Sequence, residues 1–250
     1  DICIDPDSKS ILIKYHGGKF EVVGYDSMPF PQKRKTEILD EIKTTAEEFN
    51  NGISKVINFA AADELRPIMN SVSIETVPGE IIFVSSNGHG LGLFKRKNKR
   101  CTETCSVVIS RQIASVLKGL IPLSEEELVI KVGSDWSEIS FEDYEISFRN
   151  VEGRYPNWRA VVPKSNNLEL KADTKLLLGA IKRTSVFSSK VSCLIKLSAR
   201  YDKLVVSAQD LDYSTSAEET IPVEFGEKEF VIGVKATLIQ DMLSGIDDDR

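Results

Sequence analysis

The side chains suited to chemistry are few. Two histidines are present, and one of them, His89, lies in the run Ser86-Asn87-Gly88-His89-Gly90-Leu91. An imidazole with Asp or Glu partners could exchange protons with a substrate, because its ordinary pKa lies near neutrality. A histidine beside two glycines is more often a loop residue, and no motif places it in a catalytic frame. There is no G-x-S-x-G elbow, no phosphate-cradling glycine loop and no H-E-x-x-H. The other nucleophiles are Cys3, Cys101, Cys105 and Cys193. Cys101 and Cys105 have C-x3-C spacing, but zinc takes four such ligands, or three and a water, and no further Cys or His lies near them. Free thiols in a reduced cytosol are the expectation, with no metal and no cofactor. These residues point to a non-catalytic protein.

The elements that would position any site come from a chain of 250 residues, enough for roughly two domains. Hydrophobic residues make up 41% and charged residues 28%, which excludes disorder, collagen and a coiled-coil rod as the main architecture. No apolar run approaches the roughly 18 residues of a membrane helix. The longest clear stretch near an expected strand is Ile81-Ile82-Phe83-Val84. The chain starts at Asp1 without Met or a signal-type apolar segment; a mature secreted start stays open on that ground alone, and a fragment is the stronger expectation. With the thiols read as reduced and no membrane-length apolar run, a cytoplasmic protein without a membrane partner is expected. The net charge of −6 excludes a wholly basic nucleic-acid glove but leaves room for a basic face.

An internal repeat organises the chain. Ser10-Ile11-Leu12-Ile13-Lys14 through Tyr25-Asp26-Ser27-Met28-Pro29-Phe30-Pro31 reads as two strands closing on a proline, and Ser137 through Pro156 has the same plan. Ile82-Phe83-Val84-Ser85-Ser86-Asn87 similarly resembles Leu204-Val205-Val206-Ser207-Ala208-Gln209. Two such offsets in chain order predict a duplicated domain of roughly 125 residues. Thr45 and Glu48 form a capping-box pattern before a helix with Phe49, Ile53, Val56 and Ile57 on one face. Ser110 is placed to cap a helix carrying Ile113, Val116, Leu117 and Leu120, and Asp173 one carrying Leu177 and Ile181. A fourth helix, from about Lys235, sets Leu238, Ile239, Met242 and Leu243 together. Alternating strands surround these helices, which predicts an α+β fold with antiparallel sheets and helices on one side. The expected division is the end of one unit over 1–31, a full unit over 32–163, and a third over 164–250 that stops before its last strands.

Several stretches carry a family resemblance. Val151-Glu152-Gly153-Arg154-Tyr155-Pro156-Asn157-Trp158-Arg159-Ala160-Val161-Val162-Pro163 resembles the linker of the bacterial DNA sliding clamp, the beta subunit of DNA polymerase III. Asp63-Glu64-Leu65-Arg66-Pro67-Ile68-Met69-Asn70 is similar to its D-E-x-R-P-x-L-N-G segment, and Ser86 through Leu91 to its T-D-G-H-R-L loop. Lys182-Arg183-Thr184-Ser185-Val186-Phe187-Ser188-Ser189 resembles a helix end in the family's last domain. The resemblance implies repeated clamp domains, with sheets outside and paired helices lining a ring. The ring is a head-to-tail homodimer that encircles double-stranded DNA without reading its sequence. It tethers DNA polymerase and clamp-loader subunits through short peptide motifs, as a processivity factor with no chemistry of its own. The 250-residue chain alone is expected to be monomeric.

A sliding ring needs weak, sequence-independent phosphate attraction. The four expected helices carry +3 in sum against −6 overall, the direction a basic bore requires. Arg66, Arg111, Lys118, Lys182 and Arg183 are the DNA-contacting candidates on this resemblance. The peptide pocket it implies is walled by Met69, Ser86, Gly88, His89, Leu91, Pro156 and Val161. Its apolar members could receive the hydrophobic anchors of a motif, with Met69 adapting to their shape. Asn87-Gly88 is also a turn signal in its own right. Three positions depart from the family: Gly90 replaces a long basic residue, Asn87 an Asp, and Ala160 an Arg found in many members. They motivate the alternative of a diverged clamp paralogue with altered partner choice and no role with the main replicative polymerase.

Overall fold

The computed structural model describes residues 1–26, 28, 36–226 and 229–246. The expected closing proline, Pro31, and the 31/32 boundary lie outside the described residues. Residues 1–35 form one compact unit. Its strands β1 (Ile2–Asp5), β2 (Ser10–Tyr15) and β3 (Gly18–Val23) make an antiparallel meander in the order β1-β2-β3. Tyr15 and Phe20 stack across its hairpin with ring centroids 5.8 Å apart.

Residues 36–250 form the second unit. It begins with β4 (Ile38–Thr45), α1 (Ala46–Val56), a 3-10 turn (Ile57–Phe59), β5 (Ser71–Val77), β6 (Glu80–Ser86), β7 (Leu91–Lys97) and β8 (Cys105–Ser110). There follow α2 (Arg111–Leu120), β9 (Glu127–Gly133), β10 (Trp136–Phe141) and β11 (Tyr144–Arg149). After a second 3-10 turn (Trp158–Ala160) come β12 (Leu170–Lys171), α3 (Thr174–Ser185), β13 (Leu194–Arg200), β14 (Lys203–Asp210) and β15 (Thr215–Pro222). β16 (Glu224–Phe225), β17 (Phe230–Lys235) and α4 (Ala236–Ser244) complete it. The sheet orders β7-β6-β5-β8 and β15-β14-β13-β17 share one wiring, and all the pairings are antiparallel. The β10–β11 hairpin likewise repeats β2–β3.

Local chemistry starts three of the helices. The Thr45 side chain accepts from the Glu48 amide, Ser110 from that of Ile113, and Asp173 from that of Leu176. Each satisfies a donor that the first helical turn leaves unpaired. The expected capping box is only half formed. The Glu48 carboxylate accepts from Thr44 Oγ1 at 2.6 Å and from Asn98 Nδ2 at 2.7 Å. Phe49, Ile53 and Val56 of α1 are fully buried and share one core with Ile74, Phe83, Leu117 and Ile130.

Two expected helix faces are corrected. On α2, Val116 and Leu120 are 50% and 51% exposed, while Ala114 and Leu117 are buried. The buried stripe runs through Ile113, Ala114, Leu117 and Ile121, and at 3.6 residues per turn Val116 sits roughly 100° from Leu117, on the side away from Ala114. The Asn50 amide fixes this rotation by donating to the carbonyls of Lys118 and Ile121 at 2.9 and 2.6 Å. On α4, the four expected partners divide into two rows. Ile239 and Leu243 pack into the core under β13–β15. Leu238 instead approaches the Phe59–Gly90 side, where Met242 lines a groove with Phe59. Residues four apart share a row, so adjacent pairs serve neighbouring surfaces. Among the described residues, no helix is long and apolar enough to cross a membrane.

Candidate ligand and DNA surfaces

Strand β6 reads as a continuous apolar run because both of its faces are covered. Ile81 and Phe83 point into the helix-covered core, and Ile82 and Val84 into a second cluster built around Trp158. The segment after β11 makes that cover. It leaves β11 with the Val151 amide donating to the Val108 carbonyl at 2.9 Å, and Gly153 turns it with φ +107°, a conformation that favours glycine. Trp158 is then 4% exposed on the outer sheet face, with Tyr155, Val162, Leu91, Leu93 and Val77 around it. Burial pushes the Tyr155 phenol up to about 12, beside the Ser86 backbone and Glu75.

The β6–β7 connection is shaped by its own side chains. Asn87 Oδ1 accepts from the amides of His89 and Gly90, both at 2.9 Å. Ser86 Oγ accepts from the Gly88 amide at 3.1 Å and donates to the Gly90 carbonyl at 2.8 Å. Gly88 has φ +88°, and a Cβ there would stand 3.7 Å from Met69 Cε. Asn87 thus makes the turn, as its pairing with glycine predicts.

Of the expected pocket residues, the structure brings Met69, Ser86 and Gly88 together at this loop, with His89 exposed on it. Leu91 joins the Trp158 cluster, which contains the linker. Pro156 and Val161 lie on the exposed side of that linker, Val161 at 68%. A groove of about 700 Å3 beside β7 takes Leu91 from the expected set, but its other walls include Lys55, Phe59, Met242 and Ile246. Sequence reading missed Glu75, whose carboxylate receives the Trp158 indole N–H and the Arg159 guanidinium. The available signal was a lone carboxylate in the strand Ser71-Val72-Ser73-Ile74-Glu75-Thr76-Val77.

The expected DNA-contacting cations differ in how free they are. Lys118 and Lys182 are exposed in the last turns of α2 and α3 and have no ion pair among the described residues. Arg183 is held by Glu219 through Nε at 3.0 Å and Nη2 at 2.5 Å. Arg111 donates to the Ala60 carbonyl at 3.3 Å and draws down an Asp241 carboxyl that burial raises. Arg66 lies 3.7 Å from Asp63 on the surface. Cys101 and Cys105 are buried free thiols, and among the described residues no three His, Cys, Asp or Glu side chains gather as a metal site requires.

Two family models match in tandem. The one described as the DNA polymerase III beta subunit, central domain, covers residues 43–157, and the one for its C-terminal domain covers 159–250. A beta sliding clamp from Synechococcus elongatus is 22% identical over 90% of this chain and 61% of its own length. One from Salmonella typhimurium is 22% identical over 98% of the chain and 67% of its own length. The chain therefore spans about two thirds or less of these relatives. The DNA polymerase III beta subunit of Pseudomonas aeruginosa superposes with a TM-score of 0.91 at 19% identity, over 99% of this chain and 67% of that one. A Pseudomonas clamp bound to griselimycin superposes equally well.

Proposed function

The chain belongs to the DNA polymerase III beta-subunit family, and from that premise we propose that it acts as part of a DNA sliding clamp. The complete protein forms a homodimeric ring around duplex DNA and performs no chemistry. It tethers polymerase and clamp-loader subunits by holding short peptide segments. The division into the end of a first domain (1–31), a central domain (32–163) and a third (164–250) is part of this reading, as is a monomeric state for these 250 residues. Met69, Ser86, Gly88, His89, Leu91, Pro156 and Val161 form the ligand surface. Of the expected DNA contacts, Lys118 and Lys182 are the ones that meet phosphate in this reading, while Arg66, Arg111 and Arg183 are engaged by Asp63, by Ala60 with Asp241, and by Glu219.

The observation that carries the reading is the linker folded over the outer sheet face. It joins Leu91 to Tyr155, Trp158 and Val162 in one apolar cluster, next to the glycine loop against which Met69 rests. An apolar rim around backbone that a ligand can approach closely suits an extended segment with hydrophobic anchors. The test is a titration of the 250-residue chain with fluorescent griselimycin, which a Pseudomonas clamp binds. Binding in the micromolar range corresponds to about −8 kcal/mol. Met69→Ala and Leu91→Ala should each weaken it about tenfold, the loss of roughly one buried apolar contact. Absence of binding, or binding indifferent to both substitutions, would defeat the assignment.

A further inference from the structure

Trp158 sits on one cross-strand row of the outer face. The register pairs Glu75 with Ile82, and Ile82 with Lys95. The indole engages all three, Glu75 by a hydrogen bond, Ile82 in one apolar cluster and Lys95 across its face. Its Nε1–H donates to Glu75 Oε1 at 2.9 Å, its body is buried with Ile82, and Lys95 Nζ lies 5.4 Å from its ring centroid. Arg159 follows directly in the chain. Its Nη1 pairs with Glu75 Oε2 at 2.9 Å, and its guanidinium lies 4.1 Å from the same ring centroid. Glu75 is only 16% exposed and also receives Ser73 Oγ at 3.4 Å.

Both oxygens of one largely buried carboxylate are thus committed to two successive linker residues. An apolar filler for this face would need neither bond, and a phenylalanine would serve. The two bonds restrict rotation of the indole and the position of the backbone that carries it. That backbone runs from Pro156, whose carbonyl accepts from the Trp158 amide at 2.7 Å, to Val161, whose amide donates to the Trp158 carbonyl at 3.2 Å. The two exposed rim residues are therefore hydrogen-bonded to the anchored one.

We propose that Glu75 is a positioning residue of the ligand surface, fixing Trp158 and Arg159 and through them the placement of Pro156 and Val161. The inference rests on the ligand surface proposed above. A charged acceptor makes stronger hydrogen bonds than a neutral one. Glu75→Gln keeps an acceptor for the indole and loses the ion pair, whereas Glu75→Ala loses both.

Griselimycin affinity of the 250-residue chain should fall about tenfold in Glu75→Ala and about threefold in Glu75→Gln, in line with losing two charge-assisted bonds or one. Trp158→Phe should weaken binding in the wild-type background and add less than about twofold in Glu75→Ala, because coupled residues are not additive. Trp158 emission should shift to the red in Glu75→Ala, with Trp158→Phe supplying the signal of Trp136 alone. Affinity within about twofold of wild type in Glu75→Ala, or fully additive losses, would overturn the proposal. Hydrogen exchange reads the latch without any ligand. Amides over 151–163 should exchange faster in Glu75→Ala and in Arg159→Gln, while α1 and β6 keep their protection. Unchanged linker exchange overturns the latch even if griselimycin binds. Faster linker exchange in a chain that never binds griselimycin sustains the latch and defeats the ligand surface. If Glu75→Ala does not fold, Glu75→Gln and Arg159→Gln carry both readouts.

Discussion

If the chain meets DNA as proposed, the salt dependence of that association should separate cations that meet phosphate from cations that serve the fold. Lys118 and Lys182 are exposed, without ion pairs among the described residues, while Arg183 is bonded through two nitrogens to Glu219 and Arg111 is turned toward Ala60 and Asp241. Each phosphate neutralised on duplex DNA contributes about 0.9 to the slope of log K against log salt. Losing two contacts should therefore reduce the slope by about 1.8 in Lys118→Gln with Lys182→Gln. Between about 50 and 200 mM salt, two such contacts account for roughly a twelvefold change in affinity. Arg111→Gln with Arg183→Gln should change the slope by less than about 0.5, since their charge is already engaged. That second pair should instead lower the melting temperature, because it strands the partly buried Asp241 carboxyl. The assay is fluorescence anisotropy of a labelled duplex of random sequence, repeated across salt. Equal slopes for the two double variants, or an unchanged slope in the lysine pair, would refute the distinction.

Gly52 lies where α1 crosses the sheet, and a Cβ there would stand 2.4 Å from two ring carbons of Phe83. Phe83 is fully buried, with Phe49 at 6.0 Å and Phe94 at 6.2 Å between centroids, so its ring has no room to retreat. Gly52→Ala gains about 1 kcal/mol of helix propensity but forces overpacking of about 1–3 kcal/mol. A fall in melting temperature of several degrees is expected, and an unchanged or raised value would contradict the packing argument. Burial pushes the thiols of Cys101 and Cys105 from 9.0 up to about 11. In native protein near pH 8 both should resist iodoacetamide while exposed Cys3 reacts, and all four should react in denaturant. The unfolded chain releases these thiol protons first, so their contribution to stability is lost as pH rises from 9.0 toward 11. Rapid native alkylation of Cys101 would remove the basis for both statements.

What could be read from the sequence was whatever is encoded within a few residues. The caps at Thr45, Ser110 and Asp173 combine a side-chain acceptor with an amide three positions on, and each is present. The turn at Asn87-Gly88 is equally local. Periodicity gave the existence of α2 but misjudged its rotation, because apolar residues occupy more of its circumference than the core can cover. Val116 and Leu120 extend the apolar arc, and contacts from other elements decide where its centre lies: the core that takes Ala114 and Leu117, and the Asn50 side chain bonded to the helix end. The pairing of Arg183 with Glu219, and of Trp158 with Glu75, joins residues on separate elements. No spacing rule brings such partners together, so a cation on a helix face looked free when it was not.

Gly90 shows how a departure from a family pattern changes meaning once its direction is known. In sequence it removes a basic side chain from the expected ligand pocket. In the structure a Cβ at Gly90 would point between Phe59, at 3.3 Å, and Leu238 of α4, at 3.5 Å. A long side chain there would enter the contact between α4 and the 3-10 turn before β5. Two cations serve the same seam: Lys55 donates to the Gly245 carbonyl at 2.5 Å, where α4 ends, and Arg111 faces Asp241. A cation at a helix C-terminus meets unpaired carbonyls and the negative end of the dipole, so Lys55 stabilises α4 where no glycine-turned cap does. Glycine at 90 and the inward turn of Arg111 then follow from one requirement, close approach of α4 to the Phe59 turn. On the proposed DNA-facing role, the engagement of Arg111 leaves Lys118 and Lys182, exposed in the last turns of their helices, as the cations freest to attract phosphate.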